Sequence, residues 1–277
     1  MRLTTKSWSI SGKSQLGWNH ERTTKNNQDA YSFGSIQDKD IVFGFVSDGC
    51  SLGEHSEVGS KTLVEFAKTQ TLHLLSLENS TEQIINKLFA DIRLFIRNQV
   101  LQIVGEDEIR QAEFLFHYYC ATLIGVIIKE TDESIGNIFY AGDGVTFPGP
   151  SGDLFKIDQQ NKPHYMAYAA LDHPEKFKVP IDVIPQNFIR YSIPKNTDKI
   201  MIATDGFEDH SKRKIDFNAK INGVTRPYSL HGLQWEKKGH YGLHRWINTM
   251  SEYGYFNDDA TLITIERNTN EQDNSNR

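Results

Sequence analysis

Five aspartates lie where the chain enters or leaves an apolar, strand-like segment. Three of them are followed directly by glycine. Isolated carboxylates at strand ends in a protein core are costly unless a cation gathers them, and Mg²⁺ or Mn²⁺ suits a set of hard oxygen ligands. The pattern therefore indicates a metal-dependent hydrolase, and the candidate ligands are Asp29, Asp48, Asp143, Asp205 and Asp258.

A single Asp-Gly step has a simpler interpretation as a hairpin turn. That interpretation is weaker for Asp48, whose run leads into a helical pattern, and for Asp205, which is not followed by a second strand. Asp258 and Asp259 are adjacent, so only one can point inward along an extended chain, and the choice of Asp258 rests on the motif match given below. In antiparallel sheets the exit of one strand lies beside the entrance of the next, so all five aspartates could converge at one edge.

The elements that would position these residues follow from hydrophobic periodicity. Ser80 and Gln83 have capping-box spacing and precede an apolar stripe, which predicts a helix from Ser80. Strands joined by short turns, with helices in two groups, predict an α+β fold rather than a doubly wound parallel sheet. The candidate strands are residues 40–47, 120–129, 135–142, 154–157, 188–193, 199–204 and 260–266, and further helices are predicted from Ser56 and around 243–253.

Composition narrows the function classes. The chain has 277 residues, 38% of them hydrophobic, which is enough for one large domain. A net charge of −6 and a pI of about 5.9 do not favour nucleic acid or an anionic membrane as partner. No apolar run approaches the roughly 18 residues of a membrane span, and the first ten residues do not resemble a signal peptide. A cytoplasmic protein is the expectation.

Three further features complete the organisation. Residues 1–266 are predicted to form one domain, and residues 267–277, which contain no apolar side chain, a disordered tail. Cys50 and Cys120 lie in core-like runs and are predicted to be reduced structural thiols, with a catalytic or redox role as the alternative. Residues 211–245 carry eight Lys or Arg against two acidic residues. This excess could face an anionic substrate or belong to a solvated loop.

Taken together and in order, the segments around the aspartates resemble the motifs of PP2C-type, metal-dependent Ser/Thr protein phosphatases. The resemblance covers residues 16–266 and is closest to the compact prokaryotic branch, because of a Gly-x-x-His ahead of QDA and a Ser/Gly-rich stretch after the second motif. The segments are NNQDAYSF around Asp29, VSDGCSLGEHSEVGSK around Asp48, FYAGDG around Asp143, IATDGF around Asp205 and NDDATLITI around Asp258.

The resemblance implies a four-layer αββα sandwich of two antiparallel sheets flanked by helices, with a dinuclear Mg²⁺ or Mn²⁺ centre at one end. By motif match, Asp48 bridges both ions, the carbonyl of Gly49 contacts one, and Asp205 and Asp258 hold the other. Asp29 would act at the metal or through its bound water. Asp143 matches the position that supports a third, weaker ion.

The implied reaction is hydrolysis of phosphoserine or phosphothreonine in a phosphoprotein, without a covalent phosphoenzyme. Two divalent ions lower the pKa of a water, orient it for in-line attack and neutralise the phosphoryl oxygens. The implied partners are a phosphorylated protein and a cognate Ser/Thr kinase. Two alternatives stay open: a phosphomonoesterase acting on a small metabolite, and a catalytically silent binding domain, although such domains usually lose ligands that this chain keeps.

The chain departs from the family pattern at three positions. Gln28 replaces the acidic residue that commonly precedes the first aspartate, and Thr24 replaces an arginine. The substrate phosphate would then be held by another residue, with His20, Arg22 and Lys25 as candidates, each of which could equally be a plain surface residue. Cys50 stands where some members carry a histidine, so the leaving-group proton would come from another residue or from metal-bound water. His55 is a candidate donor, or else a solvent-facing residue.

Overall fold

A computed structural model describes residues 2–77, 80–160, 162–207, 214–221, 224–231, 235–252 and 255–268. Its strands are β1 (Arg2–Thr4), β2 (Trp8–Gln15), β3 (Ala30–Ile36), β4 (Ile41–Ser47), β5 (Leu123–Ile128), β6 (Ser134–Ala141), β7 (Gly144–Phe147), β8 (Phe155–Ile157), β9 (Ile189–Pro194), β10 (Lys199–Ala203), β11 (Lys214–Ile221), β12 (Val224–His231) and β13 (Ala260–Arg267). Its helices are α1 (Trp18–Thr23), α2 (Ser56–Ser76), α3 (Thr81–Val104), α4 (Glu108–Phe114), α5 (Met166–Ala170) and α6 (Trp235–Glu252), and α4 runs on into a π-helical turn, Leu115–Tyr119.

Two antiparallel sheets form the centre of the fold. One has six strands in the order β1-β2-β13-β10-β7-β8, and the other has five in the order β3-β4-β5-β6-β9. β11 and β12 pair as a separate two-stranded hairpin. Helices α2 and α3 cover the outer face of the five-stranded sheet, and α6 packs on the six-stranded one. The predicted α+β sandwich with αββα layers is confirmed.

Period-two alternation explains the layers. In β4, Val42 and Val46 point into the core between the sheets, whereas Phe43 and Phe45 pack under α2 and α3. All four side chains are fully buried. β10 alternates in the same way, between the inter-sheet core and the layer under α6. A strand with apolar residues on both faces must be covered on both sides, and a four-layer arrangement provides that cover.

Gly44 sets the separation of the sheets at their centre. A Cβ at this position would lie 2.8 Å from Cδ1 of Ile263 and 3.2 Å from Cδ1 of Ile10, both on the opposite sheet. Any side chain at position 44 would therefore push the sheets apart. The close approach brings the ends of β4 and β13 within reach of each other.

Most predicted elements are confirmed, including the capping box in which the hydroxyl of Ser80 accepts from the N–H of Gln83. The elements that were not predicted are β1, β2, β7, β11, β12, α1, α4 and α5, and β3 was implied only by the apolar run after Asp29. The solvated-loop interpretation of 211–245 is wrong for the described residues there, which form β11, β12 and α6. β13 runs through Arg267, and the N–H of Asn268 donates to the carbonyl of Ser7, so the predicted tail boundary is two residues too early. Residues 269–277 lie outside the described residues.

Both cysteines are free, as predicted, and burial raises the pKa of Cys120. None of the helices within the described ranges is long and apolar enough to cross a membrane.

Candidate active site

The five predicted aspartates come from both sheets and meet at one edge of the sandwich. Asp29 directly precedes β3 and Asp48 directly follows β4, and the strand ends beside them, Ala30 and Ser47, are paired. Asp205 follows β10 on the other sheet, and Asp258 precedes β13, the antiparallel neighbour of β10. Asp143 lies where the chain crosses from β6 in one sheet to β7 in the other.

Asp29 is the most enclosed of the five, with 3% of its surface exposed. Its Oδ2 accepts a hydrogen bond of 2.7 Å from the hydroxyl of Thr204, and that hydroxyl in turn accepts from the N–H of Thr261 at 2.9 Å. Asp29 Oδ1 is buried and receives no hydrogen bond from the residues that the structure describes. A carboxylate fixed on one oxygen and unpaired on the other is suited to receive a proton or a cation.

Asp29 and Asp48 lie within hydrogen-bonding reach of each other. Burial raises the pKa of Asp29 to about 7. Burial also raises the pKa of Asp48 well above its usual range, and the negative charges of Asp29 and Asp205 raise it further. Two carboxyl groups in contact can bond only through a shared proton or a cation, so this pair cannot be fully ionised without a counter-charge.

Asp205 extends the cluster toward the six-stranded sheet. Burial, followed by the charges of Asp143 and Asp258, raises its pKa to about 6. A Cβ at Gly206 would lie 1.9 Å from the carbonyl oxygen of Asp259, so the chain after Asp205 is in backbone contact with the segment that carries Asp258. Asp48 thus interacts with Asp29, Asp205 and Asp258, and Asp205 interacts also with Asp143 and Asp258.

Of the adjacent pair, Asp259 and not Asp258 is the buried residue. Asp259 is 3% exposed, whereas the side chain of Asp258 is 61% exposed. The prediction that Asp258 points inward is wrong in this respect, because residues 255–259 precede β13 and do not follow its alternation. Asp258 nevertheless faces Asp48 and Asp205 closely enough to raise the pKa of both carboxyl groups. Its assignment as a metal ligand stays a prediction.

The three phosphate-anchor candidates lie in different surroundings. His20 is buried on α1, where its Nδ1 is 2.9 Å from Asp259 Oδ2. The Arg22 guanidinium lies 4.4 Å from the centre of the Trp18 ring. Lys25 Nζ donates to the carbonyl of Ser51 at 3.3 Å, which places the ammonium beside the loop that follows Asp48 and Gly49.

The departures from the family pattern also have structural explanations. The Gln28 side chain turns away from the aspartates and donates to Ser56 at the start of α2, at 2.7 Å. Thr24 ends α1 in a left-handed conformation, with φ of 56°. His55 precedes α2 with its side chain half exposed, and its ring lies 5.1 Å from that of Tyr118. None of these contacts assigns the leaving-group proton to His55.

Sequence reasoning missed three residues that support the site. Thr204 holds Asp29, Thr122 accepts from the N–H of Asp48 at 2.9 Å, and Asp259 binds the backbone on both sides of α1. Thr204 and Asp259 are each adjacent in sequence to a predicted ligand, and that adjacency could have identified them as supporting residues. Thr122 is distant in sequence, and only the pairing of β4 with β5 brings it to Asp48.

The donor set fits divalent metal ions. The site offers carboxylate oxygens from five aspartates and an unpaired buried oxygen on Asp29. Burial raises the pKa of Asp29, Asp48 and Asp205, and neighbouring aspartates raise the pKa of Asp48 and Asp205 further. Mg²⁺ and Mn²⁺ prefer such oxygen ligands. At the same edge, His20, Asp258 and Asp259 each place a potential ligand atom within 4.8 Å of the others.

The sequence profile described as protein phosphatase 2C matches residues 16–236. The chain belongs to the protein phosphatase 2C family. The matched range includes Asp29, Asp48, Asp143 and Asp205, and Asp258 lies beyond it. No curated protein sequence matches this PP2C-family chain.

Solved structures similar to this PP2C-family chain include three phosphatases. The Stp1 serine/threonine phosphatase of Staphylococcus aureus has 14% identity, a TM-score of 0.55 and 96% coverage of both chains. A bacterial serine phosphatase has 14% identity and a TM-score of 0.56, over 95% of this chain and 98% of its own. The catalytic domain of PstP, a serine threonine protein phosphatase in complex with two manganese ions, has 12% identity and a TM-score of 0.51, over 95% and 99%. At these identities the similarity shows the fold.

Proposed function

We propose that this chain hydrolyses phosphoserine and phosphothreonine in proteins, using water activated at a centre of two Mg²⁺ or Mn²⁺ ions. A third ion would bind beside this centre. The observation that carries the proposal is the convergence of five aspartates from two sheets in a chain of the PP2C family. When bound, such ions supply a water of lowered pKa and neutralise charge on the phosphoryl oxygens.

The residues proposed to hold the ions are those predicted from the sequence. Asp48 would bridge, because its carboxyl lies between Asp29 on its own sheet and Asp205 on the other. Asp205 and Asp258 would hold one ion and the carbonyl of Gly49 would contact the other. Asp143 would support the third. Thr204 would keep Asp29 oriented toward this group through its hydrogen bond to Oδ2.

The activity itself is tested by hydrolysis of p-nitrophenyl phosphate and of a phosphoserine peptide. We expect both to be cleaved with Mn²⁺ or Mg²⁺ and neither after EDTA treatment, with activity restored by added metal. Phosphorylated metabolites assayed in parallel distinguish the alternatives. Faster turnover of a metabolite than of any phosphopeptide would favour a small-molecule phosphomonoesterase, and bound metal without turnover of any substrate would favour a binding domain.

Lys25 is the proposed anchor for the substrate phosphate in place of the missing arginine. Its ammonium lies beside the Asp48-Gly49 loop, whereas Arg22 stacks on Trp18 and His20 is bound to Asp259. We expect Lys25→Met to raise KM for the phosphopeptide about tenfold, the equivalent of one charge-assisted hydrogen bond, and to leave Mn²⁺ affinity unchanged. Lys61→Met, on an exposed position of α2, is the control. An unchanged KM would reject Lys25 as the anchor.

The proposed substrates are cytoplasmic proteins that a Ser/Thr kinase has phosphorylated. The absence of a spanning helix among the described residues is compatible with this setting. A phosphoproteomic comparison of cells with and without the active protein would identify the substrates, and no gain in any phosphoserine or phosphothreonine signal would contradict the proposal.

A further inference from the structure

We infer that His20 is a metal ligand, and that its Nε2 and the carboxylate of Asp258 form a mixed nitrogen and oxygen site at the edge of the carboxylate cluster. This inference rests on the proposed metal centre and adds to it a ligand that the five aspartates do not include. His20 Nε2 lies 3.9 Å from Asp258 Oδ1. The His20 side chain is 91% buried, and Nε2 forms no hydrogen bond with a residue that the structure describes.

The hydrogen bonds of Asp259 determine which nitrogen of His20 carries the proton. Oδ1 of Asp259 accepts from the N–H of Gly17 at 2.7 Å, and Oδ2 accepts from the N–H of Gln28 at 2.6 Å. A carboxylate that accepts these bonds can only accept a third, so Nδ1 of His20 is the donor at 2.9 Å. In neutral imidazole the lone pair is then on Nε2, toward Asp258.

The lone pair of Nε2 and the Asp258 carboxylate consequently face each other without a donor between them. Two acceptors in that position can be bridged by a water molecule, by a second proton on the imidazole or by a metal ion. The chain around His20 already has the arrangement common to metal-binding histidines, in which the nitrogen that does not bind the metal donates to a carboxylate. Asp259 supplies that carboxylate.

The backbone holds His20 and Asp258 as one unit. The N–H of Trp18 donates to the carbonyl of Phe256 at 2.8 Å, and the N–H of Asn19 donates to that of Asn257 at 3.1 Å. Together with the bond from Gly17 to Asp259, these contacts attach the start of α1 to the segment just before β13. A ligand pair whose two segments are joined by these three hydrogen bonds is positioned before any ion arrives.

The nitrogen donor has a consequence for metal choice. Imidazole suits Mn²⁺ less than Zn²⁺ or Fe²⁺ but suits all three better than Mg²⁺, which strongly prefers oxygen. Asp258 is partly exposed and also faces Asp205, so it can contribute to this site and to the carboxylate cluster together. The site formed by His20 and Asp258 should therefore bind Mn²⁺ in preference to Mg²⁺.

The direct test is pulsed electron paramagnetic resonance of the Mn²⁺-loaded protein in which only histidine is labelled with ¹⁵N. We expect a ¹⁵N coupling of a directly bound imidazole in the wild type and its loss in His20→Gln. His55→Gln, at the residue before α2, and His73→Gln, on an exposed position of α2, should keep the coupling. Isothermal titration calorimetry should show that His20→Gln and Asp259→Asn each lower the affinity of one site for Mn²⁺ about 10- to 100-fold. The affinity of His20→Gln for Mg²⁺ should differ from that of the wild type by less than about twofold.

The outcomes separate this inference from the proposed function. Bound Mn²⁺ and phosphatase activity without histidine coupling would overturn the His20 assignment alone and leave His20 as an ion-pair partner of Asp258. Coupling that persists in His20→Gln and disappears in His55→Gln would also overturn it. Absence of any bound Mn²⁺ would overturn the metal centre and the ligand together. Circular dichroism and the unfolding temperature of the metal-free variants verify that each one folds.

Discussion

Asp48→Asn is expected to reduce hydrolysis of p-nitrophenyl phosphate on the order of 10²- to 10³-fold, the scale seen when one preorganised electrostatic contact is removed from an active site. Asp29, Asp205 and Asp258 all act on the carboxyl group of Asp48. An asparagine keeps the volume and one oxygen but supplies no negative charge to two ions.

The same substitution should have the opposite effect on the metal-free fold. Removing one of several carboxyl groups from this edge relieves repulsion, so the unfolding temperature of metal-free Asp48→Asn should rise. Mn²⁺ should then stabilise the variant less than it stabilises the wild type. Asp132→Asn, in the exposed turn between β5 and β6, is the matched control and should leave both quantities unchanged. Undiminished turnover in Asp48→Asn would reject the central position given to this residue.

The metal-free protein is expected to lose stability as pH rises from about 4 to about 7. The ordinary pKa of an aspartate is 3.8, whereas in the folded chain the pKa of Asp205 is raised to about 6 and that of Asp29 to about 7 by burial. These carboxyl groups keep their protons longer in the folded state than in the unfolded chain. Their stabilising contribution is complete below pH 4 and is lost as pH passes through 6 and 7.

The expected size of this loss is several kcal/mol, at about 1.4 kcal/mol for each unit of pKa difference. It is measured by urea unfolding of the EDTA-treated wild type at pH 5 and pH 8, beside Asp29→Asn, which should show a clearly smaller change. Added Mn²⁺ should reverse the trend, because metal binds the deprotonated carboxylates that high pH produces. Equal pH dependence in the wild type and in Asp29→Asn would contradict the proposed origin.

The convergence of the aspartates could be predicted from sequence because each one follows or precedes an apolar run that has a clear strand period. The choice between Asp258 and Asp259 could not, because the deciding contacts come from Gly17, His20 and Gln28, which are more than 200 residues away in the chain. β2 was missed because its serines are buried through bonds to histidines of α6, as in the contact of Ser9 with His240. A polar strand of this kind has no hydrophobic period to detect.

The hairpin of β11 and β12 was missed for a different reason. Its strands pair only with each other among the described residues. Apolar and polar residues alternate from Ile215 to Ile221, which is a strand period, but the excess of Lys and Arg over 211–245 favoured a solvated loop. The motif around Asp205 ends just before this segment, so family resemblance offered no guide to it either.

Gly44 allows the two sheets to approach closely, and the aspartates on the two sheets face one another at the end of that contact. Ions held by Asp48 on one sheet and Asp205 on the other would add a link between the two sheets, beside the side-chain packing, the loops and the hydrogen bond from Thr204 to Asp29. Bound metal would then stabilise the folded state, and the metal concentration would determine how fast the protein is degraded by proteases. A cell short of Mn²⁺ would lose the protein itself as well as its activity.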